Sequence, residues 1–491
     1  MRKPPAPSIA VILAWCFGLQ ALTAPCLAAN RFEVKVIESS RGGARLTERE
    51  ITGTTPASDS AIARIRIEPG RKFQKIIGFG GAFTESTAFV LDTLVKGKRD
   101  EVIKAYFSPG GAHYSLTRTH INSCDFSLGN YAYANTPGDV ELRDFSIRED
   151  LEDLVPLIKD SLAVPGARFK LLASPWTAPP WMKDNGAWNG GSLKPEYYAT
   201  RALYFSKYIR AYEKEGIPIW GVTVENEPLG NDSHWESMIY TPAQMGHFIK
   251  NHLAPRFAED ELDVTILIYD QNRDHLKEWA EEILGDPEVA KHVWGTAVHW
   301  YSSTIKWYPE VLNAVHERFP DKALLNTEAC VDNEVPVWQD DDWYWSKEAT
   351  DWGYHWAPEV EKPLHPKYVP VHRYARDIIG GLNSWLAGWV DWNMVLDHKG
   401  GPNHAQNWCV APVLVHTETR EVYYTPLYDV MCHFSRYIRP GAHRIGAESE
   451  VDDLMVTACR NPDGSIVVVV FNATPEEARY RIVAEDQENQ L

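Results

Sequence analysis

Cysteine is scarce, with 7 among 491 residues and no two in CxxC spacing. Thiols so few and so scattered indicate neither a disulfide framework nor a zinc site. Positive charge is also short: 49 Lys and Arg stand against 67 Asp and Glu, a formal net charge of −18. Without a basic stripe, such a chain repels phosphate backbones, which disfavours nucleic acid as a partner, and charge alone does not dock it on anionic membranes. Apart from the N-terminal run at residues 9–22, short for a span but open to reading as a retained anchor, no segment approaches the 18 or so apolar residues of a membrane span. Internal repeats and low-complexity linkers are missing, and so are the GxSxG elbow, the HExxH helix and the P-loop. Gly78-Phe-Gly-Gly81 follows an apolar run, but Phe83 stands where a dinucleotide fingerprint needs its third glycine.

What the chain does have is a globular composition, 44% hydrophobic and 24% charged, with 19 Trp and 22 Tyr. Flat amphipathic rings line sugar-binding clefts, although they also fill cores. The first 29 residues read as an export signal: Arg2 and Lys3, an apolar run over residues 9–22, then small residues ending at Ala28 and Ala29. Pro25 before Cys26 argues against a lipoprotein site. The expected mature chain starts at Asn30, carries no transmembrane segment, and is periplasmic or secreted. Cys16 and Cys26 leave with the signal. Cys124, Cys330, Cys409, Cys432 and Cys459 remain and form at most two pairs.

Eight apolar, β-branched or aromatic runs recur at 76–84, 114–122, 169–176, 217–227, 264–272, 293–301, 323–330 and 385–395. Helical patterns separate them, and eight such runs predict a (β/α)₈ barrel over residues 76–438. Helix starts are marked by Ser146…Glu149 and Thr241-Pro242…Gln244, both read as capping boxes, and by Thr425-Pro426. Tyr198, Phe205, Ile209 and Tyr212 share one helical face that stops at Gly216. Residues 30–75 and 439–491 alternate instead, the latter around an Asn461-Pro-Asp-Gly464 turn. These two pieces predict one β-sandwich beside the barrel, built from both chain ends.

A barrel of this kind places its active site at the carboxyl ends of the strands. Run four ends on Glu225-Asn226-Glu227 and run seven on Thr327-Glu328, and strands four and seven face each other across the mouth. Two carboxyl groups in different environments are what glycosidic cleavage requires, one protonated and one ionised. Either glutamate alone would read as a helix cap or a surface ion pair; their joint position favours chemistry. Aromatic residues gather at the same ends, with Trp176 ending run three, Tyr301 ending run six and Trp392 near the end of run eight. Asp125, Asn226 and Asn407 are placed to hold hydroxyls. Trp300 and Trp385 read as core. His398, His404 and Cys409 match no usual metal-ligand spacing, so no metal is expected.

The motifs GFGGAFT (78–84), SCDFS (123–127), ASPWTAPPWMK (173–183), TVENEP (223–228), AVHWY (297–301), TEAC (327–330), GWVDWN (388–393), GGPN (400–403) and HFSRY (433–437) occur in order along nearly all of residues 62–470. In this the chain resembles glycoside hydrolase family 30, most closely its glucosylceramidase branch. The resemblance implies a barrel with a side sandwich and no metal or organic cofactor. It places an acid/base at Glu227 and a nucleophile at Glu328. Asn226 falls beside the sugar 2-hydroxyl, Asp125, Trp176, Trp392 and Asn407 line a glucose subsite, Tyr301 lies near the nucleophile, and Arg118 ends strand two. It also implies retention of configuration, with carboxyl groups about 5–5.5 Å apart. The implied partner is a β-glucoside, glycolipid or oligosaccharide; a glycolipid brings peripheral contact with lipid. A sister branch that shares the SPW and NEP motifs cleaves β-1,6-glucan internally, and a non-catalytic sugar binder is the alternative from another class. Two departures stand out. The cysteine-rich start of the lysosomal members is missing, and the family's closing sandwich strands have no counterpart after residue 483. The second predicts either a short sandwich with an exposed sheet edge or a truncated sequence, and with it lower stability than a version extended by two strands.

Overall fold

The structure, a computed structural model, describes residues 8–15, 33–49, 63–231, 234–350 and 357–484. Eight parallel strands close into a barrel: β1 (Gly78–Phe83), β2 (Leu116–Ile121), β3 (Lys170–Pro175), β4 (Ile219–Thr223), β5 (Thr265–Asn272), β6 (Val293–His299), β7 (Ala323–Glu328) and β8 (Leu386–Asn393). Every strand falls inside one of the eight apolar runs. Alternation along the strands puts Leu116, Leu172, Ala297, Leu325 and Val390 in one buried apolar cluster. The residues two positions further on, Arg118, Ser174, His299, Thr327 and Trp392, form the layer above. At the opposite end Trp220 and Trp294 meet edge to face, 5.1 Å between centroids. The barrel therefore has an apolar floor and a polar ceiling, and the ceiling carries the site.

Helix boundaries follow local chemistry. Thr241 caps the helix Pro242–Phe248 with both halves of the box in place, and Thr425 caps Pro426–Ser435. Helix Tyr198–Lys214 buries Tyr198, Phe205, Ile209 and Tyr212 and ends at Gly216, whose φ of +81° suits glycine. The Ser146 box is not used. That helix starts at Leu154, capped by the Asp153 carboxylate. The cause is Asp150, which is buried and accepts hydroxyl bonds from Tyr131 (3.0 Å), Tyr133 (2.6 Å) and Tyr212 (2.6 Å). Those bonds hold the preceding segment in turns.

The chain ends meet in an eight-stranded sheet ordered Tyr480–Ala484, Ala63–Lys75, His443–Ser449, Leu454–Arg460, Ile466–Asn472, Ser8–Trp15, Glu33–Ser40 and Thr47–Arg49. The hairpin at Asn461 is as expected, with Gly464 at φ +88° and full antiparallel pairing on either side. Val467, Val469 and Phe471 join the main core, which takes in the barrel helices. Val468 and Val470 on the other face pack with Ile65, Ile67, Ile445, Leu454 and Val456. Ser8–Trp15, inside the expected export signal, lies as a strand between Glu33–Ser40 and Ile466–Asn472; the rest of that signal lies outside the described residues. No helix among the described residues is long and apolar enough to cross a membrane.

Candidate active site

Arg118, on β2, organises the barrel mouth. Its side chain is fully buried and makes four hydrogen bonds, to Glu328 Oε2 (2.5 Å), Asn226 Oδ1 (2.7 Å), Asp270 Oδ2 (2.7 Å) and Ser174 Oγ (3.0 Å). A forked guanidinium can serve these acceptors at once, which an ammonium is not shaped to do. The guanidinium carbon also lies 4.8 Å from the ring of Trp176 and 5.7 Å from that of Trp392. Those two rings stack at 5.2 Å and 22°, forming an aromatic wall behind the cluster.

Glu328 ends β7. Tyr301 donates to its Oε1 at 3.1 Å while Arg118 holds its Oε2. Burial pushes its carboxyl above the usual range, against the pull of His299 and Arg118. Glu227 sits beyond β4 at φ +49°, a strained conformation for a residue that also precedes a proline. Its backbone N–H donates to Asp270 O at 2.9 Å. Its side chain is 15% exposed and meets His299 Nδ1 at 3.1 Å. Ligand atoms of Glu227, His299 and Glu328 all lie within 4.8 Å of one another. The neighbouring Glu225 points elsewhere, fully buried and 3.7 Å from Arg201.

Asp270, at the end of β5, went unnoticed in the sequence. It accepts from Arg118, Thr223 (2.6 Å), Thr327 (2.6 Å) and His299 Nε2 (3.0 Å). Burial opposes its charge, but Arg118 and His299 outweigh burial and hold it well below the carboxylate range. Burial likewise opposes charge on His299, yet Glu328 and the bonds to Asp270 and Glu227 lift its pKa to about 9. With Glu227 at Nδ1 and Asp270 at Nε2, the charged form of His299 has an acceptor at each nitrogen. The only sequence signal for Asp270 was an acid closing an apolar run.

The remaining expected residues converge on the same place. Asn407 Nδ2 donates to Asp125 Oδ2 at 3.1 Å. Phe126 packs edge-on against Trp392 at 6.0 Å, which sets the Asp125 loop beside the aromatic wall. Burial and then the charge of Glu328 push the Asp125 carboxyl well up. Trp300 is core, under Arg373 at 3.9 Å. Trp385 is at the barrel floor, stacked on His316 at 3.6 Å. His398, His404 and Cys409 do not converge: His398 stacks on His416, and His404 pairs with Glu236 at 3.2 Å.

A barrel whose polar end brings two glutamates of unequal exposure against a tryptophan wall has the form of a glycoside hydrolase. The chain belongs to glycosyl hydrolase family 30: the family's TIM-barrel domain matches residues 76–438 and its β-sandwich domain residues 441–491. It is 35% identical to the lysosomal acid glucosylceramidase of Mus musculus over 94% of this chain and 86% of that protein. It is 27% identical to an endo-1,6-β-D-glucanase of Neurospora crassa, over 96% of this chain and 95% of that one. Among solved structures, SrfJ from Salmonella typhimurium superposes with a TM-score of 0.79 at 30% identity, covering 97% of this chain and 95% of that one.

Proposed function

We propose that the protein is an exported, retaining β-glucosidase whose leading substrate is glucosylceramide, with Glu328 as nucleophile and Glu227 as acid/base. The observation that carries the reading is the convergence of the two carboxylates within 4.8 Å. One oxygen of each comes that close to the other, which supports direct attack by a carboxylate over the roughly 6.5–9.5 Å that inverting enzymes keep for a water.

The surroundings divide the roles. Glu328 is aimed by Arg118 and Tyr301, whose donors favour its ionised form against burial, the form that attacks an anomeric carbon. Glu227 is the more exposed, and one oxygen already accepts from His299, which leaves the other to carry the proton for the departing oxygen. When the aglycone leaves with that proton, Glu227 becomes a carboxylate beside His299. It next takes a proton from the water that frees the sugar. Trp176 and Trp392 offer stacking faces, and Asp125, Asn407 and Asn226 offer partners for hydroxyls.

Glucosylceramide is favoured because identity to the mouse glucosylceramidase, at 35%, exceeds that to the fungal glucanase, at 27%, over similar shares of the chain. The glucanase match supports a second reading, endo-cleavage of β-1,6-glucan by the same residues. The test is glucose release from detergent-dispersed glucosylceramide beside release of sugar from a β-1,6-glucan, with Glu328→Gln as control. Release from the lipid alone, lost in the variant, is expected. Release from the glucan alone overturns the substrate and keeps the chemistry. Binding of sugar without turnover by the wild type overturns the enzyme.

A further inference from the structure

Just beyond Glu328 the chain forms a two-residue ladder in which Val331 faces Val410 and Asp332 faces Cys409. Cys330 precedes Asp332 by two positions, so by strand alternation it points to the same side. Three donors meet there. Cys409 Sγ lies 3.3 Å from Asp332 Oδ1, and ligand atoms of Cys330, Asp332 and Cys409 all lie within 4.8 Å of one another. Both cysteines are free and buried, at 3% and 1% exposure. Asp332 is the partly exposed member of the trio, which gives an ion a way in. Nothing in the glycosidase chemistry uses this group.

From this geometry we infer that Cys330, Asp332 and Cys409 form a site for a thiophilic divalent cation such as Zn²⁺ or Cd²⁺, and that its occupancy inhibits the enzyme. Two thiolates and a carboxylate suit such ions. Sulfurs each about 2.3 Å from one tetrahedral centre stand roughly 3.8 Å apart, and a carboxylate oxygen at about 2.1 Å stands roughly 3.6 Å from either sulfur. The observed spread therefore needs only side-chain rotation to close. Three protein donors leave a fourth position for water. On binding, each thiol gives its proton to solvent, and two thiolates with one carboxylate face a dication. A disulfide fits less well. Cys409 faces Asp332, not Cys330, and diagonal neighbours in a ladder lie roughly 7–8 Å apart, beyond the Cα separation a disulfide usually spans.

The route to the active site is one hydroxyl long. Tyr301 Oη lies 3.4 Å from Cys330 Sγ and donates to Glu328 Oε1 at 3.1 Å. A cation that takes the Cys330 sulfur changes the partner of Tyr301 and with it the hold on Glu328. The inhibition arm rests on the proposed glycosidase activity; the binding arm does not.

The test titrates the purified, reduced full chain with Cd²⁺. It follows the ultraviolet thiolate-to-metal charge-transfer band and, in parallel, hydrolysis of a β-glucoside. Expected are a band that Cys409→Ser loses, inhibition that tracks the band and reverses with EDTA, and a Cys409→Ser enzyme of wild-type basal rate that resists Cd²⁺. Asp332→Asn keeps both thiols and should bind roughly tenfold or more weakly; it carries the test if Cys409→Ser does not fold. A band absent from the wild type, or unchanged in both variants, overturns the site. A band without inhibition in an active enzyme overturns the regulation alone. A band in a chain that hydrolyses no glucoside keeps the site and overturns the proposed function.

Discussion

Replacing Arg118 by Met isolates what the buried guanidinium does. Its methylenes and volume are largely kept, while its bonds to Glu328, Asp270, Asn226 and Ser174 disappear. Asp270 has no exposed surface and the Glu328 side chain only 9%, so both carboxylates lose their cation where water reaches poorly. Breaking a buried pair from one side costs about 3–5 kcal/mol, because the remaining charge stays uncompensated. Here His299 still faces Asp270 at 3.0 Å, which places the expected loss at the lower end, about 3 kcal/mol. The same change removes a cation that favours ionised Glu328, so its pKa rises further and the acid limb of the pH–rate profile moves upward. Turnover should fall about 10²–10³-fold, the usual cost of losing one preorganised electrostatic partner. Denaturant unfolding gives the first quantity and kcat/KM against pH the others. A variant with wild-type unfolding midpoint and an unmoved acid limb would refute the role assigned to Arg118.

Tyr301→Phe removes one bond to Glu328 without touching the fold; a hydrogen bond to a charged group is worth about 1.5–3 kcal/mol, so kcat should drop roughly ten- to hundredfold with KM little changed. His299 has its pKa raised from 6.5 to about 9, so the stability it contributes is complete below pH 6.5 and is lost as pH rises through 9. Urea midpoints measured between those pH values should fall in the wild type, and less in His299→Gln. A chain beginning at Asn30 lacks the strand Ser8–Trp15, which pairs with Ile466–Asn472, and leaves that β-branched edge open. It should aggregate faster than the full chain by light scattering, and equal rates would show that the edge is covered by other means.

The barrel was legible because its strands are buried on both faces and read as continuous apolar runs between amphipathic helices, a pattern local enough to survive without contacts. The site was legible for a related reason: barrel geometry names the strand ends, so Glu227, Glu328, Trp176 and Tyr301 stood out by position. Asp270 did not, since its importance lies in four partners from four other strands that no local pattern connects. Ser146 misled because a capping box is a local preference, and three tyrosine hydroxyls on Asp150 outweigh it. Cys330 and Cys409 are scattered in the sequence, and only the ladder that pairs Cys409 with Asp332 across 77 positions brings them together. Residues 8–15 read as a leader by composition, and the same β-branched apolar character lets them occupy a strand position in the sheet.

The central claim is that Glu328 attacks the sugar. Incubating the wild type with a slowly turned-over 2-deoxy-2-fluoro-β-glucoside, then mapping the modified peptide by mass spectrometry, tests it directly. One fluoroglucosyl group on Glu328, absent from Glu328→Gln and released as the enzyme regains activity, is the expected result. Steady hydrolysis with no adduct at any residue, or an adduct on Glu227, would contradict the account.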